Sequence, residues 1–194
     1  MTISFPGSSN LTRLPFSKAA GLAVLVTPKP SYSVVSGPTL SVDFMNQVLA
    51  AYHSPAAGKA QALYDLGIKY GIDPAFALAF FFHESTFGTQ GEATSSLSLG
   101  NLRCIANAKC QDGYAWFDTW EEGFEAWYVQ IRAYINGDIN KVIGRKACPC
   151  TTVPQIIPVY APASDNNNES AYIKTVETAI DTWHAGNVWV PKVA

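Results

Sequence analysis

Asp73-Pro-Ala-Phe-Ala-Leu-Ala-Phe-Phe-Phe-His-Glu-Ser85 is the stretch on which the fold of this chain turns. Asp73 is a good N-cap, and Pro74 suits the first helical position, where the missing N–H costs nothing. The residues that follow predict a helix apolar on every side through Phe82, the pattern of a helix surrounded by core. The neighbouring segments read as the helices that surround it. Upstream, Ser41 caps a helix with Phe44, Val48 and Leu49 on one side, closed by His53-Ser-Pro55. A second helix over 57–70 carries Ala60, Leu63, Leu66 and Tyr70 at helical spacing and stops at Gly71. Downstream, 85–116 holds Gly88, Gly91, Gly100 and Gly113 and reads as loops with a small hairpin. Thr119-Trp-Glu-Glu122 is a capping box opening a helix whose stripe is Trp120, Phe124, Trp127, Ile131 and Tyr134. Thr152-Val-Pro-Gln155 repeats that logic for a short helix ending near Tyr160. A last helix from about Ser170 carries Tyr172, Ile173, Val176, Ile180 and Trp183 and ends at Gly186. The expected fold is mainly α: a helical core with a loop or hairpin insert between the helix ending at Glu84 and the next long one.

The composition agrees with one such domain. Of 194 residues, 48% are hydrophobic, including five Trp, nine Tyr and ten Phe. Only 14% are charged, against roughly 25% in an average soluble protein, so a disordered chain is excluded. A net charge of −2 argues against nucleic acid as a partner, because displacing counterions from phosphates needs a basic face. The longest apolar runs, 19–27 and 75–82, fall short of the ~20 residues that cross a bilayer. Arg13 and Lys18 ahead of 19–27 resemble a signal peptide, but Pro28 and Pro30 replace a small-residue cleavage site. A chain that starts after processing, or is released by another route, is the expectation. Residues 1–40 hold five of the twelve prolines, seven serines and no acidic residue. They read as an extended arm or edge strand, with 24–26 and 32–35 able to pair, preceding a domain over 41–194.

Four cysteines stand at 104, 110, 148 and 150. Their spacing lacks the knuckle of a zinc site, so no metal is expected. A disulfide between Cys104 and Cys110 across a short turn is the preferred reading and implies an oxidising compartment. Cys148 and Cys150 bridge each other only with strain, so they pair elsewhere or stay reduced.

Chemistry concentrates at Glu84. Phe80 and Phe81 lie one turn back on its face, and the helix C-terminus presents negative potential. The nearest basic residues in sequence are Lys69 and Arg103. These effects favour a carboxyl that stays protonated near neutral pH, as a general acid requires. His83 reads as structural, His53 as a helix end, and His184 as a partner of a helix dipole. No cofactor is called for.

Several motifs carry a family resemblance. Tyr70-Gly-Ile-Asp-Pro74, Leu78-Ala-Phe80 and Glu84-Ser-Thr-Phe-Gly88-Thr-Gln-Gly91 resemble the start of the lysozyme-like superfamily, closest to the glucosaminidases of glycoside hydrolase family 73. Lytic transglycosylases share the helix ending in Glu-Ser, but their Gly-Leu-Met-Gln is absent. Ser98-Leu-Gly-Asn101-Leu-Arg-Cys104 is instead similar to the glucosaminidases' Asn-Leu-Phe-Gly. Trp116-Phe-Asp-Thr-Trp-Glu-Glu-Gly-Phe resembles their Phe-Arg-x-Tyr segment. Tyr160-Ala-Pro, with Tyr172 following, resembles their late Tyr-Ala-Thr-Asp-Pro-x-Tyr motif. The likeness covers roughly 45–185 and implies an α+β lysozyme-like fold.

It also implies cleavage of the β-1,4 glycan of peptidoglycan, with Glu84 as the general acid. The family's second carboxylate comes from the hairpin before the Phe-Arg segment. Here that hairpin holds Asp112, displaced from the expected place and equally a turn-forming Asp-Gly; Glu92 is the other candidate. Asp118, Glu121 and Glu122 read as helix-start residues. Tyr160 is expected near the cleavage point or as a core aromatic, and Asn101 as an acetamido ligand or a turn former. Tyr114 and Trp116 are expected to stack on sugar rings, and Trp120 and Trp127 to sit in the core. Asp165-Asn-Asn-Asn168 reads as a solvated turn, with the rim of the groove as its alternative. The implied partner is peptidoglycan or a related amino-sugar polymer, met by a monomer that is secreted, wall-associated or carried by a phage. Two rival readings are a lytic transglycosylase, in which a sugar hydroxyl replaces water, and an inactive wall-binding module of the same fold.

Overall fold

The computed structural model describes residues 32–138 and 149–193. Among these the chain forms α1 (Val42–Ala51), α2 (Ala60–Tyr70), α3 (Pro74–Ser85), the short α4 (Ala93–Ser96), β1 (Lys109–Gln111), β2 (Tyr114–Trp116), α5 (Trp120–Ile135), α6 (Val153–Tyr160) and α7 (Glu169–His184). It is mainly helical, as the periodicity predicts. No helix among the described residues is long and apolar enough to cross a membrane.

Helix α3 is buried from Pro74 to Phe81. It packs against α2 and α7, while α5 lies on α2 and α6 on α7. Its aromatic side chains reach α5, α6 and α7. Phe80 meets Trp127 of α5, Tyr160 of α6 and Tyr172 of α7 at centroid distances of 5.3, 5.4 and 5.6 Å. Phe81 stacks on Phe124 and sets its ring edge-on to Trp127. Such contacts add to area burial and hold the rings in one arrangement. Trp127 is fully buried and Trp120 packs against the core.

Helix starts follow the expected caps. Ser41 Oγ accepts from Phe44 N, and Thr119 Oγ1 from Glu122 N. Glu122 returns the bond to Asp118 N, one residue earlier than the simple box predicts. Gln155 Oε1 accepts from Thr151 N and Thr152 N ahead of α6. Helix α2 begins at Ala60, later than the predicted 57, because Gly58 takes φ 88° and the chain turns before it can wind. The four-residue α4 lies within the predicted loop region; it has no side-chain cap and too few turns for a periodic signal.

The described part of the N-terminal arm is integral to the domain. Tyr32, Val34 and Leu40 are buried, and Ser33 pairs with Thr152 in an antiparallel bridge. The expected pairing over 24–26 lies outside the described residues. Asp73 ties the arm to α3. Fully buried, it accepts from Ala75 N at 2.9 Å, from Thr39 N at 3.2 Å and from Thr39 Oγ1 at 2.6 Å. Replacing it strands several donors at once, so Asp73→Ala is expected to cost about 2–4 kcal/mol, more than an isolated cap. Urea unfolding with an unchanged m-value checks this, and a loss below about 1 kcal/mol would show that the arm and cap are not coupled.

The insert between α3 and α5 is a hairpin, with Lys109 opposite Trp116 and Gln111 opposite Tyr114. Its return strand bonds to the preceding loop through Ala115 N to Leu102 O, and an antiparallel bridge joins Arg103 to Tyr114. The Cys104–Cys110 disulfide closes the same turn. Cys150 is also disulfide-bonded, while Cys148 lies outside the described residues.

Candidate active site

The last turn of α3 leaves the core and delivers Glu84 to a cavity of about 420 Å³. Thr86 and Phe87 then take positive φ, 46° and 56°, which ends the helix sharply. Ser85, buried beside Glu84, stabilises that turn. Its Oγ donates to Leu99 O at 2.8 Å and accepts from Gly88 N at 2.8 Å. The Glu-Ser pair thus joins a chemical residue to the one that clamps the following loop against its helix.

The clamped loop forms one wall. Asn101 adopts φ 46° and donates from Nδ2 to the Glu84 carbonyl at 2.8 Å. Gly100 is pressed against the core, where a Cβ would stand 2.7 Å from Trp127 Cδ1 and 3.1 Å from Tyr160 Oη. Only glycine permits this approach, which brings the loop onto α5 and α6. Tyr160 Oη donates to Gly100 O at 2.7 Å. The rest of the lining includes Arg103, Tyr114, Gln130, Asp165 and Asn167.

The electrostatics of Glu84 follow from this setting. Burial among the aromatic rings penalises its anion and pushes its pKa from the ordinary 4.5 up to about 7. Three neighbours pull the other way: the Tyr172 hydroxyl, the Asn101 amide and the charge of Arg103. Tyr172 Oη donates to Glu84 Oε1 at 2.6 Å. Burial, with the Glu84 charge beside it, raises the Tyr172 hydroxyl well above the usual phenol range, so it remains a donor. His83 stacks on the Tyr172 ring at a centroid distance of 3.6 Å, and partial burial lowers its pKa to about 4. The imidazole is therefore neutral at ordinary pH and acts here as a flat packing surface.

Because the Tyr172 bond favours the Glu84 anion, removing it must raise the pKa further. Tyr172→Phe is expected to move the Glu84 titration above 7, followed by NMR of side-chain-labelled glutamate. A midpoint that falls or stays fixed would show that this bond does not set the equilibrium.

The structure brings together Glu84, Asn101, Tyr114 and Tyr160 from the residues singled out in the sequence. Tyr160 lines the cavity and has a committed hydroxyl. Asn101 holds its turn while bordering the site. Asp112 and Trp116 are not among the residues lining this cavity. Asp112 is exposed in the β1–β2 turn at φ 52°, so the hairpin's one acid serves its backbone. Trp116 is covered by Lys109, whose Nζ lies 5.6 Å from the ring centroid. Glu92 is exposed ahead of α4 and likewise outside the cavity. Sequence reading misses Arg103, whose guanidinium stacks on Tyr114 at 4.7 Å, and Gln130, whose Nε2 donates to Tyr134 Oη. Arg103 falls inside the Ser98–Cys104 motif but is given no role there, and Gln130 carries no local motif that would single it out. Asp165 and Asn167 line the cavity from an exposed turn. The chain matches no family model, and no curated protein matches it.

Proposed function

We propose that this chain is a lysozyme-like glycoside hydrolase, nearest in kind to the family 73 glucosaminidases, that cleaves the β-1,4 glycan of peptidoglycan. One observation carries the reading: a carboxyl at the end of an all-apolar helix, raised to about 7 by burial, opens into a cavity lined by polar groups. Leaving-group departure from a sugar acetal needs a proton donor that is still protonated near neutral pH, and Glu84 meets that need. Protonation of the glycosidic oxygen lets the C1–O bond break as oxocarbenium character develops. Tyr114 and Tyr160 line the same cavity. The disulfide supports placement outside the cytoplasm, where peptidoglycan is met.

Digestion of purified peptidoglycan, with mass spectrometry of the fragments, tests the reading. Hydrolysis adds one water per cut and leaves a free reducing sugar, whose identity names the bond. Anhydro-sugar ends would reassign the chain to the lytic transglycosylases. Binding without release of fragments would make it a wall-binding module.

A further inference from the structure

Resting on that reading, we propose that Arg103 sets substrate choice by binding a carboxylate borne on the glycan's muramic acid residue or on the peptide attached to it. Neutral amino-sugar chains lack such a group, so the residue turns the site toward the anionic polymer.

Arg103 is the one cation among the described residues lining the cavity that holds Glu84. The segment carrying it is fixed to the hairpin. An antiparallel bridge joins Arg103 to Tyr114, Ala115 N donates to Leu102 O at 2.9 Å, and Cys104 N donates to Gly113 O at 3.2 Å. The Cys104–Cys110 disulfide ties the same segment to β1. Asn101-Leu-Arg-Cys104 departs twice from the Asn-Leu-Phe-Gly it resembles, and the two departures are neighbours. Cys104 anchors the segment, and Arg103 puts a charge where the resembled motif has an apolar ring.

The side chain has donors left for a ligand. Its guanidinium lies 4.7 Å from the Tyr114 ring centroid, and Nη1 passes 3.7 Å from where a Cβ on Gly113 would stand. An aromatic ring holds a planar guanidinium by its face. The N–H groups lie in the plane, so they still grip a carboxylate with two parallel hydrogen bonds. Among the described residues the guanidinium makes neither a hydrogen bond nor an ion pair, not even with Glu84 or Asp165 of the same cavity. The exposed lysines on α2 and at its start differ, since Lys59 pairs with Glu121 and Lys69 with Glu125. Arg103 is exposed to water, so an anion reaches it without first displacing a protein carboxylate. Glu84 does not oppose that anion while it carries its proton, because a neutral acid exerts no charge repulsion. A bound carboxylate also offsets the pull of Arg103 on Glu84, which by itself favours ionisation.

The test uses glycan strands stripped of peptide, whose lactyl carboxylates are free, beside the same strands with those groups converted to methylamides. Parent kcat/KM is expected to be roughly 10–100-fold higher on the free acids. Arg103→Gln should bring the two rates within about threefold of each other. Lys69→Gln, which removes a cation outside the cavity, should keep the parental ratio. A second pair, peptide-bearing strands with free or methylamidated peptide carboxylates, identifies the source. Preference confined to the first pair assigns the lactyl group, and preference confined to the second assigns the peptide. Equal parental rates within both pairs, an Arg103→Gln that keeps the parental ratio, or a Lys69→Gln that loses it would each overturn the assignment and leave the hydrolase reading standing. A parent that releases fragments from none of these strands removes both.

Discussion

Glu84→Gln is expected to abolish turnover, by at least about 10³-fold, while leaving the protein more stable above neutral pH. The loss follows from the chemistry. An amide keeps the shape and a hydrogen-bond donor but cannot supply a proton to the leaving oxygen. The gain in stability follows from linkage. The folded-state pKa of Glu84 lies at about 7, raised from 4.5 by burial. A raised carboxyl contributes stability that is fully present below about 4.5 and is lost as pH climbs through about 7. Above that point the parent holds a poorly solvated anion that the variant lacks. The Glu84→Gln variant should therefore melt at a higher temperature than the parent at about pH 8 and show no such benefit at about pH 4. The same equilibrium governs activity, since the acid must be protonated, so kcat/KM of the parent should fall as pH rises through about 7. A variant that still turns over, or a stability difference that grows toward acid pH, would refute the assignment.

Phe80→Ala is expected to be the most damaging core substitution and to change the chemistry as well. Phe80 is fully buried and touches Trp127, Tyr160 and Tyr172, each from a different helix. Truncating a buried phenylalanine costs about 3–5 kcal/mol, because the hole refills only in part. In a domain of this size each kcal/mol lowers the midpoint by about 2–4 °C, so a fall of about 6–20 °C is expected. Phe80 also lies one turn before Glu84 and contributes to the desolvation that keeps it protonated. Water entering the vacated space would stabilise the anion and move the Glu84 titration back toward the ordinary range. NMR of labelled glutamate, read well below the new midpoint, separates the two effects. A stability loss with the titration unmoved would locate the source of desolvation elsewhere, in Tyr160 and Tyr172.

Much of this molecule is legible in one dimension because its signals are local. The Asp73-Pro74 start, the apolar run to Phe82 and the caps at Ser41 and Thr119 depend on residues a few positions apart. The structure places these helices as the pattern predicts. The disulfide is legible for the same reason, since Cys104 and Cys110 are separated by one short turn. Asp112 occupies the β1–β2 turn at φ 52°, the turn-forming reading of its Asp-Gly pair. An aromatic on a three-residue strand gives no sign that Lys109 lies across from Trp116.

The sequence by itself determined a helix that must be buried and a carboxyl at its end that must resist ionisation. Both follow from apolar residues at fixed helical spacing. Only the tertiary structure decided which groups share space with that carboxyl. Tyr172, Arg103 and Asp165 reach Glu84 or its cavity because α6 and α7 pack across α3 and because Gly100 lets a loop press onto Trp127. Periodicity can report which face of a helix is buried. It carries no record of which distant segment covers the end, since that depends on how rings and backbones interlock in three dimensions.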